Sequence, residues 1–376
     1  MSNARNLANL LGTGTQITTA DIADEAFQAN KSLIINGAMQ VAQRGTTATG
    51  GSTGLHYGGC NRWRVYQENT AVAYTLSQDS NSPNGFATSY KLDVTTADAT
   101  LDAADRVDLI YRFEGNELQG LAKGTSDAKQ MTLSFWVSSP KTGTHVIEFF
   151  DNDNTRSISK SYTVSAADTW EYKTIVIDAD TTGALDNDTA LSLQISFWLM
   201  AGSNFTSGTL ATSWGSVTAA NRAVGQVNVM DNTANNFYIT GIQLELGETA
   251  TPFEHRSYGD ELARCQRYYY FHGQGTGSNS GDIGIGSYYD SVSLDVIVQF
   301  PVTMRATPTV DATSGTNYYV SFRNSGADYF NSFILNKGSP SAAAIGNSSQ
   351  ASGTGGQATL IRYNSASARV AFDSEL

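Results

Sequence analysis

From about residue 33 onward, apolar and polar positions alternate in short runs. "RWRVYQ", "VAYTLSQ", "YKLDVTT", "VDLIYRFEG", "MTLSFWVSS", "HVIEFFDND", "WEYKTIVID", "LSLQISFWLMAG" and "FYITGIQLELG" are rich in Val, Ile, Tyr, Phe and Thr and bounded by Gly, Asn, Asp or Ser. A period of two turns one side of each run toward a core, so these are strands. With no helical period between them, they predict an antiparallel sandwich. Residues 202–236 read as a long loop before the last strand. After residue 270, "GDIGIGSYYD", "VSLDVIVQF", "PTVDAT", "NYYVSFRNS", "YFNSFILNKG", "ATLIRYNS" and "ARVAFDSEL" repeat the pattern as a smaller β domain, interrupted by the Gly/Ser-rich loop "GSPSAAAIGNSSQASGTGGQ". The fold class expected is all-β: a sandwich over 33–255, a link over 256–271 and a C-terminal β domain over 272–376.

The link breaks the pattern. In "SYGDELARCQRYYYF" Ser257 can cap a helix with Asp260 three positions on. Leu262 and Cys265 then fall at helical spacing and would face the sandwich. Tyr268, Tyr269, Tyr270 and Phe271 follow as a strand bulky on both sides, which must be covered twice. Its second cover is either a sister copy around a symmetry axis or the interior of a monomeric second domain.

Face arithmetic singles out two tryptophans. Leu133, Phe135 and Val137 point one way, and Ser134, Trp136 and Ser138 the other. In "LSLQISFWLM" Phe197 goes inward and Trp198 outward, so Ser-Phe-Trp recurs in the same phase. An outward indole is costly to leave wet, at roughly 25 cal/mol per Å2. Either a loop or subunit covers each one, with 202–236 the nearest lid, or Trp136 and Trp198 form a stacking platform for sugar rings if their strands share a sheet. Trp170, at a strand start, reads as structural.

Residues 1–32 differ from the rest. Leu7, Leu10 and Leu11 make a short apolar stripe, and Ile22, Ala26 and Phe27 share one side of a turn or two of helix capped by Thr18 or Thr19. Neither piece buries its apolar side alone. The segment is either a loose terminus or an anchor that orders on a partner.

Composition narrows the function classes. With 35 glycines, 6 prolines and 15% charged residues, the chain suits short strands and polar turns rather than helical bundles or disorder. A net charge of -12 argues against nucleic acid as a partner. The start lacks a secretory apolar core and no run approaches a membrane span, so no membrane insertion is expected. Cys60 and Cys265 read as free thiols, which fits assembly in a reducing host cytoplasm. His56, His145, His255 and His272 lack zinc spacing, no nucleophile elbow, P-loop or dinucleotide fingerprint is present, and no cofactor or metal is expected. Glu114, Glu117, Glu148 and Glu245 are candidates for paired carboxylate chemistry only by residue type. "FFDNDNTRS" lacks the glycine and distal glutamate of a calcium loop and reads as a hairpin turn. The chain is not expected to be an enzyme.

"LIINGAMQVAQRGT", "NRWRVYQ" with Trp63, "MTLSFWVSS", "DTWEYKTIVID" and "FYITGIQLELGETATPF" resemble the successive strands of carbohydrate-binding-module jelly rolls. "NGAMQVAQRG", "QLELGETATPFEHRSYGDELARCQRYYY" and "FPVTMRATPTV" are similar to bacteriophage virion proteins described as tail fibres or minor structural proteins. The N-terminal "ARNLANLLG" and "ITTADIADEAF" resemble the start of tail-fibre-like proteins of marine phages. The resemblance implies a fibre or appendage subunit located in the virion, a trimer by analogy. It would be anchored to other virion proteins through residues 1–32 and present its β domains to host surface glycans. The alternatives are a capsid or collar decoration protein and a stand-alone carbohydrate-binding module. Related jelly rolls commonly hold a structural calcium with acidic residues in the first and last strands; here the closing strand has Thr240 and Gly241 at the expected place.

Overall fold

The computed structural model describes residues 31–324 and 326–376. The proposed anchor residues Leu7, Leu10, Leu11, Ile22 and Phe27 lie outside the described residues. The chain is nearly all β, in antiparallel sheets, and its larger part is a jelly-roll sandwich.

The larger part runs through β1 (Thr47–Gly50), β2 (Gly54–Tyr57), β3 (Arg64–Glu68), β4 (Ala73–Asp79), β5 (Ser89–Thr96) and β6 (Arg106–Glu114). It continues through β7 (Met131–Ser138), β8 (Gly143–Asp151), β9 (Arg156–Val164), β10 (Glu171–Ile177), β11 (Leu191–Ala201), a helical turn α1 (Ser203–Thr206), β12 (Gly215–Ser216) and β13 (Asn236–Leu246). One sheet has the order β1-β4-β5-β13-β7-β10, and the facing sheet β12-β9-β8-β11-β6-β3-β2. Inward residues such as Leu133, Phe135, Val137, Ile195 and Phe197 fill the space between them. Trp63 is fully buried there against Tyr111 and Phe197, its indole N–H donating to the Asn36 carbonyl at 3.3 Å. The Asn-Gly pair that opens the domain is needed as such. Asn36 sits at φ +60° and its side chain bridges Val41 and Asn61, while a Cβ on Gly37 would come within 2.0 Å of the Ile242 carbonyl oxygen. At the expected calcium position, Thr240 donates to the Thr88 carbonyl and Gly241, at φ +61°, lies under the Phe86 ring. The "FFDNDNTRS" segment is the β8–β9 hairpin turn, with Asp151 accepting from Asn154.

The helix α2 (Tyr258–Gln266) follows, capped by Ser257, whose oxygen accepts from the Asp260 N–H. Cys265 is buried in the sandwich core and Leu262 packs on it, as the spacing predicts. The smaller domain contains β14 (Tyr269–Gln274), β15 (Ser280–Tyr288), β16 (Leu294–Gln299), β17 (Thr309–Ala312), β18 (Tyr319–Arg323), β19 (Gly326–Phe330), β20 (Ile334–Gly338), β21 (Ala342–Asn347), β22 (Ala358–Tyr363) and β23 (Arg369–Asp373). Its sheets are β14-β23-β17 and β19-β18-β22-β15-β16-β21-β20, closed over a separate core. Strand β21 corrects the expectation of a Gly/Ser-rich loop. Its Ala-Ala-Ala-Ile-Gly-Asn has little intrinsic β preference, yet it pairs with all of β16.

The aromatic run forms the seam between the two domains. Tyr268 and Tyr269 are fully buried within the single chain. The Tyr268 hydroxyl donates to Glu114 at 2.5 Å and Glu117 at 3.0 Å, with the Arg62 guanidinium 3.3 Å from its ring centre. Tyr269 donates to Asp311 at 2.7 Å and carries Arg44 3.7 Å above its ring. Tyr270 packs on Phe300 and Phe372 in the second core, while Phe271 is half-buried. Much of the double cover expected from a sister copy is therefore supplied by the chain's own two domains. After β23 the chain returns to the sandwich, where Glu375 pairs with buried Arg62 at 2.6 Å and the Leu376 carbonyl accepts from Arg64 and Arg112.

A buried histidine gives the sandwich a pH dependence. His145 on β8 is stacked on Tyr162 at 5.3 Å and hydrogen-bonded to the Lys141 carbonyl at 3.1 Å. Burial, reinforced by nearby Lys173, lowers its pKa from 6.5 to about 4. The native imidazole therefore stays neutral where the unfolded one protonates. Its contribution is present above pH 6.5 and is lost as pH falls toward 4, about 3 kcal/mol in all. In urea titrations at a series of pH values, His145→Phe is expected to flatten this part of the stability profile; an unchanged slope between pH 6.5 and 4 would refute the assignment.

Candidate ligand-binding groove

The structure separates the two tryptophans of the expected platform. Trp136 lies on β7 in the six-stranded sheet and Trp198 on β11 in the facing sheet, so their outer faces point in opposite directions. Trp136 is half-buried beside exposed Tyr172, with ring centres 5.3 Å apart. Trp170 shares Tyr172's side of the edge strand and meets Tyr238 at 6.1 Å. Trp198 is fully buried. The long connector covers it through Phe205, Leu210 and Ala223, and two guanidiniums lie near its ring, Arg106 at 4.7 Å and Arg222 at 5.3 Å. It is a structural residue held under the lid, not a ligand platform.

The open face of the seven-stranded sheet offers a groove instead. About 280 Å3 is enclosed by Tyr66, Arg106, Ile110, Arg112, Phe150, Asn152, Gln194 and Arg222. Register explains the assembly. Arg112 on β6 lies opposite Gln194 on β11, which lies opposite Phe150 on β8, while Tyr66 on β3 is level with Asp108. The floor is pre-organised: Arg112 donates through Nε to Gln194 Oε1 at 2.8 Å, and the same amide donates to Ser196 Oγ at 3.0 Å. Arg106 is engaged by both oxygens of Asp108 at 2.8 and 3.0 Å, and Arg222 by both of Glu148 at 2.7 and 2.8 Å. Arg112 has no ion-pair partner among the described residues. Burial and the neighbouring Arg64 charge push its pKa down to about 10, so it remains cationic at neutral pH. The groove thus combines two aromatic walls, a fixed amide and a guanidinium held by Gln194 and the Leu376 carbonyl without an acidic side chain beside it, a pattern suited to a small polar ligand with flat apolar faces.

The carboxylates picked out by residue type are each engaged by neighbouring side chains. Glu114 and Glu117 meet at the Tyr268 hydroxyl, Glu148 is held by Arg222, and Glu245 accepts from Thr251. Burial, with Glu114 adding to it, raises the Glu117 pKa while Arg62 opposes. A larger cleft of about 630 Å3 lies at the domain seam, but its arginines are already neutralised, Arg44 by Asp373 and Arg369 by Asp311. None of the groove residues stands out in the sequence. Alternation shows that Tyr66, Arg112, Gln194 and Phe150 point outward, but not that their four strands are neighbours.

No family model and no curated protein matches this sequence. Among solved structures, the enzymatically active domain of tailspike protein 4 of bacteriophage CBA120 is similar at 14% identity and TM-score 0.31, over 57% of this chain and 21% of that one. The family 11 carbohydrate-binding module of a cellulosomal cellulase of Clostridium thermocellum is similar at 14% identity and TM-score 0.27, over 55% of this chain and 99% of that one. A xylan-binding domain from Paenibacillus barcinonensis is similar at 10% identity and TM-score 0.26, over 59% of this chain and all of that one. Likenesses this distant do not transfer a ligand.

Proposed function

We propose that the chain is a non-catalytic structural subunit of a phage virion that presents its jelly roll to glycans on the host surface. The groove around Arg112 carries the glycan part of this reading. Tyr66 and Phe150 offer flat faces for sugar C–H groups, Gln194 and Asn152 offer amides for hydroxyls, and Arg112, whose Nε and Nη1 already donate to Gln194 and the Leu376 carbonyl, offers its remaining N–H groups to a hydroxyl or a carboxylate. A site of this size holds one or two sugar rings weakly, so attachment would draw on many copies at once. The virion part rests on the sequence resemblance of the opening segment and of the aromatic block at the seam.

Glycan arrays with the full chain test the site. Tyr66→Ala with Arg112→Gln is expected to weaken the best signal at least about tenfold, the scale of one lost oriented contact or stacking face, while Trp136→Ala leaves it unchanged. Loss of signal in Trp136→Ala alone would move the site to the aromatic strip of the opposite sheet. Mass spectrometry of purified particles tests the virion part separately, and absence of the chain from them would end it.

A further inference from the structure

We propose that the cleft at the seam between the two domains is a second carbohydrate site, selective for glycans without charged groups. The inference extends the glycan reading to another surface and does not rest on the groove around Arg112. The cleft encloses about 630 Å3, more than twice the volume of that groove and inside the roughly 300–1,000 Å3 of small-ligand pockets. Both domains and the link between them line it, so neither domain carries it alone.

Local structure brings its side chains together. Tyr258, Leu262 and Gln266 stand four residues apart along α2, so one stripe of the helix faces the cleft. On β14 an irregularity between Phe271 and Gly273 changes the alternation. Phe271 is opposite Ala371 and Gln274 opposite Arg369, two positions away on β23, so Phe271, Gln274 and Arg369 come to one side. Gln43, from the loop before β1, caps the free edge of β14. It accepts from the Phe271 N–H at 3.2 Å and donates to the Tyr269 carbonyl at 2.7 Å. Gln78 on β4 is fixed by the Met39 carbonyl, to which it donates at 2.6 Å.

Five glutamine side chains thereby converge from four stretches of chain: Gln40, Gln43, Gln78, Gln266 and Gln274. The amides of Gln40 and Gln266 have no hydrogen-bond partner among the described residues. Gln78 and Gln274 each engage an N–H, the latter with the Ala366 carbonyl at 2.8 Å, and leave the amide oxygen open. No acidic side chain is among the lining residues, and the two guanidiniums are already paired, Arg44 with Asp373 at 2.9 Å and Arg369 with Asp311 at 3.0 Å. A charged ligand therefore finds no free counter-ion here. A carboxamide can donate to one sugar hydroxyl and accept from the next. The half-buried Phe271 ring and the Tyr258 ring, 57% exposed, supply flat faces for C–H groups. Neutral rings with adjacent hydroxyls use all of these groups.

The test uses the full chain on an array of neutral and acidic glycans, with Tyr66→Ala and Arg112→Gln in place to weaken the groove. Signal from neutral glycans is expected to remain. Adding Gln40→Ala with Gln266→Ala is expected to lower it about tenfold, the scale of two lost hydrogen bonds. Adding Tyr258→Ala instead is expected to lower it about threefold, the scale of one stacking face. Neither Gln40 nor Gln266 uses its side chain in a hydrogen bond among the described residues, so their double variant should keep its circular dichroism and unfolding midpoint. Three results would overturn the proposal: no neutral signal once the groove is weakened, a signal indifferent to the two glutamines, or one confined to acidic glycans. The reading of the groove fails separately, if Tyr66→Ala with Arg112→Gln alone leaves the strongest signal of the wild type unchanged.

Discussion

Replacing Glu114 by alanine is expected to lower the unfolding free energy by about 3–4 kcal/mol, the usual result of removing one partner from a buried charged cluster. Glu114 is fully buried at the end of β6 and holds two side chains from the seam through three hydrogen bonds. Arg267 donates to its two oxygens at 2.9 and 2.6 Å, and Tyr268 donates at 2.5 Å. Without the carboxylate, the phenol keeps only its 3.0 Å bond to Glu117, whose carboxyl is already disfavoured as an anion by burial. Arg267 is partly exposed and can recover some hydration, which keeps the figure below the upper end for fully buried pairs. Glu114→Gln retains the shape and an acceptor and should recover about half of the loss. The check is urea unfolding followed separately by near-UV signals of the two domains. The wild type is expected to unfold with coincident transitions and Glu114→Ala to separate them, because the seam is where the domains hold one another. A loss under about 1 kcal/mol with coincident transitions would mean that the cluster does not couple the domains.

That seam was partly legible before any coordinates. Ser257 and Asp260 fit a helix cap because capping is a three-residue affair, and Leu262 and Cys265 could be placed on the sandwich side because helical spacing is local. The inward or outward sense of Phe135, Trp136, Phe197 and Trp198 followed from a period of two. What alternation could not give was strand adjacency. Trp136 and Trp198 share a tripeptide and a phase, yet β7 and β11 belong to opposite sheets, so the same outward sense leads to opposite sides of the molecule. The groove escaped notice for the same reason. Arg112, Gln194 and Phe150 are far apart in sequence and meet only through the pairing of β6, β11 and β8. The Ala-rich β21 has no strand signal of its own, because its strand character comes from its neighbour β16.

The burial of Trp198 leads to the second large effect. Trp198→Ala is expected to cost about 3–5 kcal/mol, the range for a large aromatic removed from a packed site, and to loosen the connector that covers it. The indole is the centre of a small satellite core with Val146, Ala201 and Ala223, its ring 5.2 Å from that of Phe205. The guanidiniums of Arg106 and Arg222 near it are each held by both oxygens of a carboxylate, Asp108 and Glu148. Removing the ring therefore leaves a cavity between two ion pairs and takes away their cation–π contacts, without giving either pair a new partner. Trp198→Phe keeps part of the volume and should cost less than half as much. Denaturant midpoints give the stability change, and protease sensitivity within residues 203–223 reports the lid. Because Arg106 and Arg222 also line the groove, glycan affinity should fall in Trp198→Ala through displaced walls and be largely retained in Trp198→Phe. A stable Trp198→Ala chain that loses glycan binding while residues 203–223 stay protected would instead make this ring a direct contact, reached by ligand through a lid that opens.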